Sequence, residues 1–584
     1  MLGLRPVRSR RILRDVTTTI VTTPVDDDGL LLHADDATAQ VCLTVVRLIS
    51  VLERRRVAPA DIVAVRLLVV DTEPAAGLVP VVAEELERLA VSAPVGVVPI
   101  TAPVEAGMLV APPGDVRGTD HPPPMNGEHM TASTPDLTPL RGLGTVHLPD
   151  DPGYETACLA WNRTAVQRPA AVAVPESPDD LARIVRMASG LGLRVAPQTT
   201  GHGAGSMQDV AFDDVLLLRM ERLTGVQVDP ISRTARIQGG TLWSDVLAAI
   251  APHGLTALHG SAGDVAVVGY LLGGGLSFYG RAHGLALNAV RAFDVVAPSG
   301  DRVRADAEEN ADLFWALRGG GGNFGIVVAV ELDLLPIADV VAGMMLWDLD
   351  RAPALLPAWA QWTRNAPESV TSSFRIMRFP PLPELPPFLS GRNLVVIDGA
   401  ILEEDDRAAG ILAPLRALQP EMDTFARIPA EGVLAMHMDP PDPMPGVSDH
   451  AMLTGLPDDA VAALLESAGP GAETPLLIAE LRHLGGALAR AHDGALARLD
   501  GEYALFTVCV VPAPEMAEVC DAATRDVVAA MRPWSTGGRF ANFSDRPADA
   551  ATMFDPPDWE RLLRARERHD PERTLVAAHV VGER

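Results

Sequence analysis

The chain contains no lysine; all 48 of its basic residues are arginine. Tyrosine and cysteine each occur only four times in 584 residues. Cys42, Cys158, Cys509 and Cys520 form no CxxC pair, so neither a disulfide framework nor a cysteine zinc site is indicated. No uncharged apolar run reaches the roughly 20 residues of a membrane span. Positive charge is in deficit, with a formal net charge of -28. Nucleic acid and anionic membranes are bound by clustered cations, so neither is expected as a partner. Ser9-Arg10-Arg11 has the form of a twin-arginine signal. The following DVTTTIVTTPVDDDG is no apolar h-region, so the segment reads as the start of a strand and a cytoplasmic location is expected.

What is present is a globular composition, 48% hydrophobic and 21% charged. At about 100–200 residues per domain the length predicts roughly three to five domains. Residues 11–112 read as β, α, β, α, β, β, with ATAQVCLTVVRLISVLERRR and GLVPVVAEELERLA as the helices. Residues 113–147, rich in Pro, Gly, Thr and Asp, read as a linker, in which His121 and His129 are solvated. Residues 148–337 alternate strands and helices with many glycines. Residues 338–530 are mixed α/β with long strands, and residues 531–584 end in an arginine-rich helix.

Three glycine clusters carry the functional signal. AAVAVPESPDDLARIVRMASGLGLRVAPQTTGHGAG reads as strand, helix, strand and small-residue loop, with Ser177 as N-cap and Pro178 at the first helical position. Such a loop exposes backbone N–H groups to a phosphate, and large side chains would block the approach. No GKS or GKT is present, so a nucleotide-hydrolysing P-loop is excluded. The second cluster runs from Ser261-Ala262-Gly263-Asp264 to Gly273-Gly274-Gly275. The third is Gly319 to Gly325, where a literal GxGxxG falls on Gly320, Gly322 and Gly325. A helix-like segment precedes that motif and a strand follows it, the reverse of a Rossmann fingerprint. One cluster alone reads as a turn; three within one domain point to a shared ligand.

WNRTAVQRPAAVAVPESPDDLARIV, APQTTGHGAG, TLWSDVLAAIAPHGLTALHGSAGDVAVVGYLLGGGLSFYG, DLFWALRGGGGNFGIV and FANFSD together resemble the berberine-bridge-enzyme-like oxidases of the vanillyl-alcohol oxidase superfamily. The resemblance implies an α+β chain: a PCMH-type FAD-binding domain of two subdomains (148–337, completed by 531–584) and an antiparallel-sheet substrate domain (338–530). It implies FAD bonded to His202. Ala262 stands where some members carry a second, cysteine link, so His202 is expected to be the sole anchor. Thr200, Gly201, Gly203 and Ala204 are implied near the pyrophosphate. Ser261, Gly263, Asp264 and Gly269 are implied beside the ribityl chain and ring, Gly325 and Val327 at the ring or adenosine portion, and Asn542 over the flavin.

The implied chemistry is hydride transfer from a small organic substrate to the flavin, with molecular oxygen as acceptor and peroxide as product. A proton must also be taken from an O–H or N–H. The family's late Y-x-N tyrosine is Phe540 here, and another common base position falls near Thr507. Tyr503 and Tyr270 are therefore the first candidates, followed by Glu480, Arg482 and His483. His437, Asp439, Asp442 and His450 could be read as a metal set, but the prolines around them favour a substrate-domain loop, and no metal is expected. The missing phenol leaves room for an oxidative or non-redox cyclase.

HADDATAQVCLTVVRLISVLERRRVAPADIVAVRLLVVDTEP and SAPVGVVPITAPVEAGMLV resemble the YjgF-like deaminase family. The resemblance implies a trimer with active sites between subunits. Pro94, after Ala93, stands in place of that family's catalytic arginine, and its acidic partner is lost near Ala111. Residues 1–112 are thus expected to be non-catalytic and to serve homo-oligomerisation, which a monomer in light scattering would contradict. A working deaminase in a bifunctional enzyme is the alternative.

Overall fold

The computed structural model describes residues 18–22, 62–69, 95–99, 106–110 and 136–583, apart from 383, 384 and 441. The chain divides into two units, Met1–Thr131 and Ala132–Arg584. In the first, β1 (Thr18–Thr22), β2 (Ile62–Val69), β3 (Val95–Pro99) and β4 (Ala106–Val110) form one sheet in the order β1-β4-β2-β3. β2 and β3 are parallel, and the other pairs are antiparallel. A parallel pair needs a crossover connection. The helix expected there, over residues 77–90, lies outside the described residues, as do the helix expected over 37–56, Pro94 and Ala111.

The second unit opens with β5 (Thr145–His147), β6 (Ala171–Val174), β7 (Arg194–Gln198) and β8 (Val215–Arg219), in the order β5-β6-β8-β7. β5 pairs antiparallel with β6, so the stretch read as linker up to residue 147 ends in a strand of this sheet. Its Pro/Gly content hid three residues with no period of their own. Helix α1 (Pro178–Gly190) starts as its caps dictate, with the Asp180 N–H donating to Ser177 Oγ at 3.1 Å. A second sheet contains β9 (Val226–Asp229), β10 (Thr234–Gln238), β11 (Val290–Val296), β12 (Arg302–Asp306) and β13 (Ile326–Asp333), in the order β12-β11-β13-β10-β9. One face packs on Trp243, Phe293 and Phe314. The other carries the Arg236–Asp294 and Arg304–Glu331 pairs and packs Val296, Ile326 and Val328 into the core of the first sheet and α1. The short helix α2 (Val267–Leu272) leads into the second glycine cluster.

An eight-stranded sheet follows: β14 (Asp339–Asp348), β15 (Val370–Arg378), β16 (Asn393–Ile401), β17 (Met422–Asp423), β18 (Ala426–Pro429), β19 (Gly446–Leu453), β20 (Ile478–His483) and β21 (Tyr503–Val510). All its pairings are antiparallel. Side chains alternate faces along each strand. One face holds Trp347, Phe374, Ile397, Leu481 and Leu505 under helices α3 (Ala352–Asn365), α4 (Asp405–Arg416), α5 (Asp458–Ala468) and α6 (Ala517–Ala530). The opposite face is unusually polar, bearing Ser373, Arg375, Asp398, Glu480 and Arg482, all buried except the half-buried Arg482. Finally, helix α7 (Pro556–His569) delivers the chain back to the first sheet. Val195 N–H donates to Thr574 O and Val576 N–H to Val195 O, at 2.8 and 2.9 Å. Arg566 is buried and ties Leu575 O to Asn323.

Candidate functional site

The loop after β7 is built to be narrow on one side and open on the other. Gly201 has φ +83°, and a Cβ there would lie 2.8 Å from the Cβ of Ala160. A Cβ on Gly205 would lie 2.6 Å from Asp545 O. A Cβ on Gly203 would meet nothing within 4 Å. The loop backbone is held from outside. Trp161 N–H donates to Thr200 O at 2.7 Å, and Ala204 N–H to Gly201 O at 3.2 Å. His202 projects between these contacts and stacks on Trp161, ring centroids 4.1 Å apart. Trp161 Nε1–H donates to Asp264 Oδ2 at 2.5 Å, and His202 Nε2 stands 3.4 Å from the same carboxylate. Nε2 is buried and makes no hydrogen bond.

The second cluster closes on the first. Ser244 N–H donates to Gly263 O, and Ser261 Oγ donates to Asp439 Oδ2 at 2.7 Å. Asn542 braces the turn after α2: Gly275 N–H donates to its Oδ1 at 2.9 Å, and its Nδ2 donates to Tyr270 O at 3.1 Å. Gly269 faces open space, like Gly203. Gly325 packs under Val295, and Val327 O lies where a Cβ on Gly239 would fall, 2.7 Å away. Thus His202 and Asp264 come together against Trp161, with Thr200, Gly201, Gly203 and Ala204 in the same loop. Ser261 and Gly263 lie just before Asp264, Asn542 is bonded to Tyr270, the neighbour of Gly269, and Gly325 stands before β13 with Val327 in it.

Asp545 pins the His202 loop. Its carboxylate accepts from Gly205 N–H at 2.9 Å and from Asn162 Nδ2–H at 2.5 Å. Burial pushes its pKa from 3.8 up to about 7, the two hydrogen bonds and Arg546 offsetting only part. The folded protein therefore holds a proton that the unfolded chain releases, and stability falls as pH rises from about 4 to about 7. The urea midpoint is expected to drop between pH 4.5 and pH 7.5, and Asp545→Asn should flatten that drop. An equal drop in both proteins would remove Asp545 as its source.

The candidate bases separate. Tyr503 belongs to the helix-side core, where its hydroxyl lies 2.6 Å from Thr363 Oγ1. It thus faces away from the polar sheet face, with His483 stacked on it and Thr507 on the same side. Tyr270 is buried beside the glycine turns, donating to Leu258 O at 3.1 Å. Burial pushes its pKa up. Both phenols are occupied inside cores, so neither Tyr503 nor Tyr270 is presented as a base. The reason is strand parity in one case and packing against Trp243 in the other.

The polar sheet face instead gathers Asp398, Arg375, Ser373, His437, Glu480 and Arg482. Arg375 Nη2 lies 2.6 Å from Asp398 Oδ2, both side chains being essentially inaccessible. Ser373 Oγ donates to Asp398, and Arg375 Nη1 to His437 O at 2.8 Å. His437 Nδ1 lies 2.9 Å from Asp398 Oδ2. Arg482 Nε donates to Glu480 Oε1 at 2.8 Å. Burial would raise the Asp398 pKa, but Arg375 and His437 overcome it and hold the carboxyl well below its usual range. Asp439 is held low in the same way, by His437 and Ser261 against burial. Among the described residues no group of three such side chains could hold a metal ion. His450 is structural, its Nε2 accepting from Phe540 N–H.

This face looks onto the glycine clusters. The His437 ring lies 5.8 Å from that of Phe278, and the Arg482 guanidinium lies over Phe543, next to Asn542. Sequence reasoning missed Trp161, Asn162, Asp545, Arg375 and Asp398. The available signal was an ionisable residue inside an otherwise apolar strand, as in NLVVIDGAIL.

Residues 169–306 match the family model of the FAD binding domain. The chain is 32% identical over 211 residues to (R)-6-hydroxynicotine oxidase of Paenarthrobacter nicotinovorans, covering 36% of this chain and 46% of that protein. It is 34% identical over 223 residues to glucooligosaccharide oxidase of Sarocladium strictum, covering 38% and 44%. The chain thus spans just under half the length of these curated relatives. In fold it matches glucooligosaccharide oxidase from Acremonium strictum, a protein described as carrying 6-S-cysteinyl, 8α-N1-histidyl FAD. That match has a TM-score of 0.65 at 22% identity and covers 76% of this chain and 98% of that one. The chain therefore carries an FAD-binding domain, in a fold shared with that oxidase. Among the described residues no helix is long and apolar enough to cross a membrane.

Proposed function

We propose that this chain is an FAD-dependent oxidase that holds its flavin covalently through His202 alone and oxidises a small organic molecule. The carrying observation is the His202 ring: its Nε2 is buried without a hydrogen bond, between a glycine loop and an acidic side chain. The residues fit a flavin. Gly203 and Gly269 leave space where any side chain would stand, and the loop around them offers backbone N–H groups to phosphate. Thr200, Gly201, Gly203 and Ala204 would hold the pyrophosphate, and Ser261, Gly263, Asp264 and Gly269 the ribityl chain and ring. Gly325 and Val327 would complete the wall, with Asn542 bracing the turn beneath. Ala262 offers no thiol for a second bond, and Cys158, Cys509 and Cys520 are buried.

The bound flavin supplies a two-electron acceptor that oxygen can reoxidise. The protein excludes water, aligns the substrate C–H bond and takes its proton. Sugars and hydroxylated heterocycles are the substrate classes suggested by the relatives' names. The N-terminal unit is read as a non-catalytic YjgF-like assembly element, on the strength of Pro94 and Ala111. The test is an anaerobic screen of oligosaccharides and 6-hydroxynicotine with the purified holoprotein. A substrate should bleach the yellow colour, and air should restore it with one peroxide per turnover. Bleaching that air does not reverse would point to a dehydrogenase, and product formed with neither bleaching nor peroxide to a non-redox cyclase.

A further inference from the structure

The Asp398–His437 couple is not needed to hold a flavin, yet it is assembled with care. Arg482 Nη2 lies 3.3 Å from His437 Nε2, while Nδ1 lies 2.9 Å from Asp398. One tautomer satisfies both contacts: Nδ1–H donates to the carboxylate, and Nε2 is an acceptor. Asp398 is fixed in turn by Arg375 and Ser373. Met438, the next residue, takes a left-handed φ of 57°, a conformation that costs a non-glycine residue energy and here turns the chain just after His437. Two further acids face Nε2: Glu480 Oε1, which accepts from Arg482 Nε, stands 3.5 Å from it, and Asp439, whose other oxygen accepts from Ser261, stands 3.9 Å from it. A small cavity on the side of the glycine turns is lined by Ser277, Phe278, Ser373 and Arg482, of which Ser373 bonds Asp398 and Arg482 reaches His437.

We propose that His437, oriented by Asp398, is the base that removes the hydroxyl proton of an alcohol substrate. This rests on the oxidase reading and deepens it. The substrate carbon loses its hydrogen with both bonding electrons to the flavin. The O–H bond breaks with its proton passing to His437 Nε2, and the C–O bond becomes a carbonyl. Asp398 stays ionised and stabilises the imidazolium, as a carboxylate does behind a catalytic histidine. Arg482 Nη2 yields Nε2 to the incoming hydroxyl and donates to its oxygen as negative charge develops there. Its Nε stays on Glu480.

Two measurements test this. In the holoprotein carrying ¹⁵N-histidine, the signal lost in His437→Asn should show a protonated Nδ1 and a bare Nε2 at pH 7.5. An Nε2–H tautomer would overturn the assignment. That arm needs no substrate, so a wrong tautomer is told apart from a failure of the oxidase reading. With cellobiose as the probe, the limiting rate of anaerobic bleaching should fall roughly 10²–10⁴-fold in His437→Asn with little change in the half-saturating concentration. Added imidazole should restore part of it, and the acid-stable yellow colour should be kept. An undiminished rate in a yellow His437→Asn protein refutes the role. Cellobiose that leaves the wild type yellow counts against a sugar carbinol as the substrate.

Discussion

The His202→Ala protein is expected to release all of its flavin on acid precipitation, whereas the unaltered chain keeps its colour in the pellet. The contacts that shape the loop do not involve the imidazole. Thr200 and Gly201 are bonded through their carbonyls, and Gly205 through its N–H. The substitution therefore deletes one ring from a cleft wall and leaves its frame. What is lost from the fold is the stack on Trp161, worth about 0.5–1.5 kcal/mol. The effect on the cofactor is all or none, because a covalent bond is either present or absent. Colour persisting in the pellet of His202→Ala would transfer the anchor to another residue. Colour lost from both proteins would deny covalent attachment altogether.

Arg375→Met should be the most destabilising single change on the polar sheet face. Arg375 and Asp398 have side-chain exposures of 1% and 0%. Removing the guanidinium strands a charged carboxylate in the interior and leaves His437 O without a donor. Breaking one partner of such a buried pair costs about 3–5 kcal/mol, a large share of the roughly 5–15 kcal/mol that holds a domain folded. By contrast, the exposed Arg168–Glu155 pair should be worth about 0–1 kcal/mol. Urea midpoints for Arg375→Met and Arg168→Met compare the two directly. Adding Asp398→Asn to Arg375→Met should recover part of the loss, since the stranded charge disappears. Equal midpoints for the buried and exposed variants would deny the ion pair any structural weight.

The cofactor half was legible in the sequence because its signals are local. A strand, a capped helix, a strand and a glycine loop follow one another over Ala171–Gly205, and each element is dictated by residues within a turn of itself. Glycines at 201, 263 and 269 announce a close or open approach through composition alone. The substrate half was hardly legible. Asp398, His437 and Glu480 come from two strands and a loop, and only the sheet register sets Ser373 against Asp398 and Arg482 in adjacent strands. Tyr503 failed as a candidate for a related reason: in a strand, one residue of offset exchanges the two faces. The polar pattern of ELRH held both answers, Glu480 and Arg482 on one face and His483 on the other.

The pairing of residues 574–576 with Val195 has a consequence for biosynthesis. The strand that ends in the glycine loop emerges from the ribosome long before its partner at residues 574–576. Until then, Asn323 lacks Arg566 and the turn at Gly275 lacks Asn542. Contacts so distant in sequence form late and slowly. The wall around the glycine loop therefore closes only once residue 576 has been made.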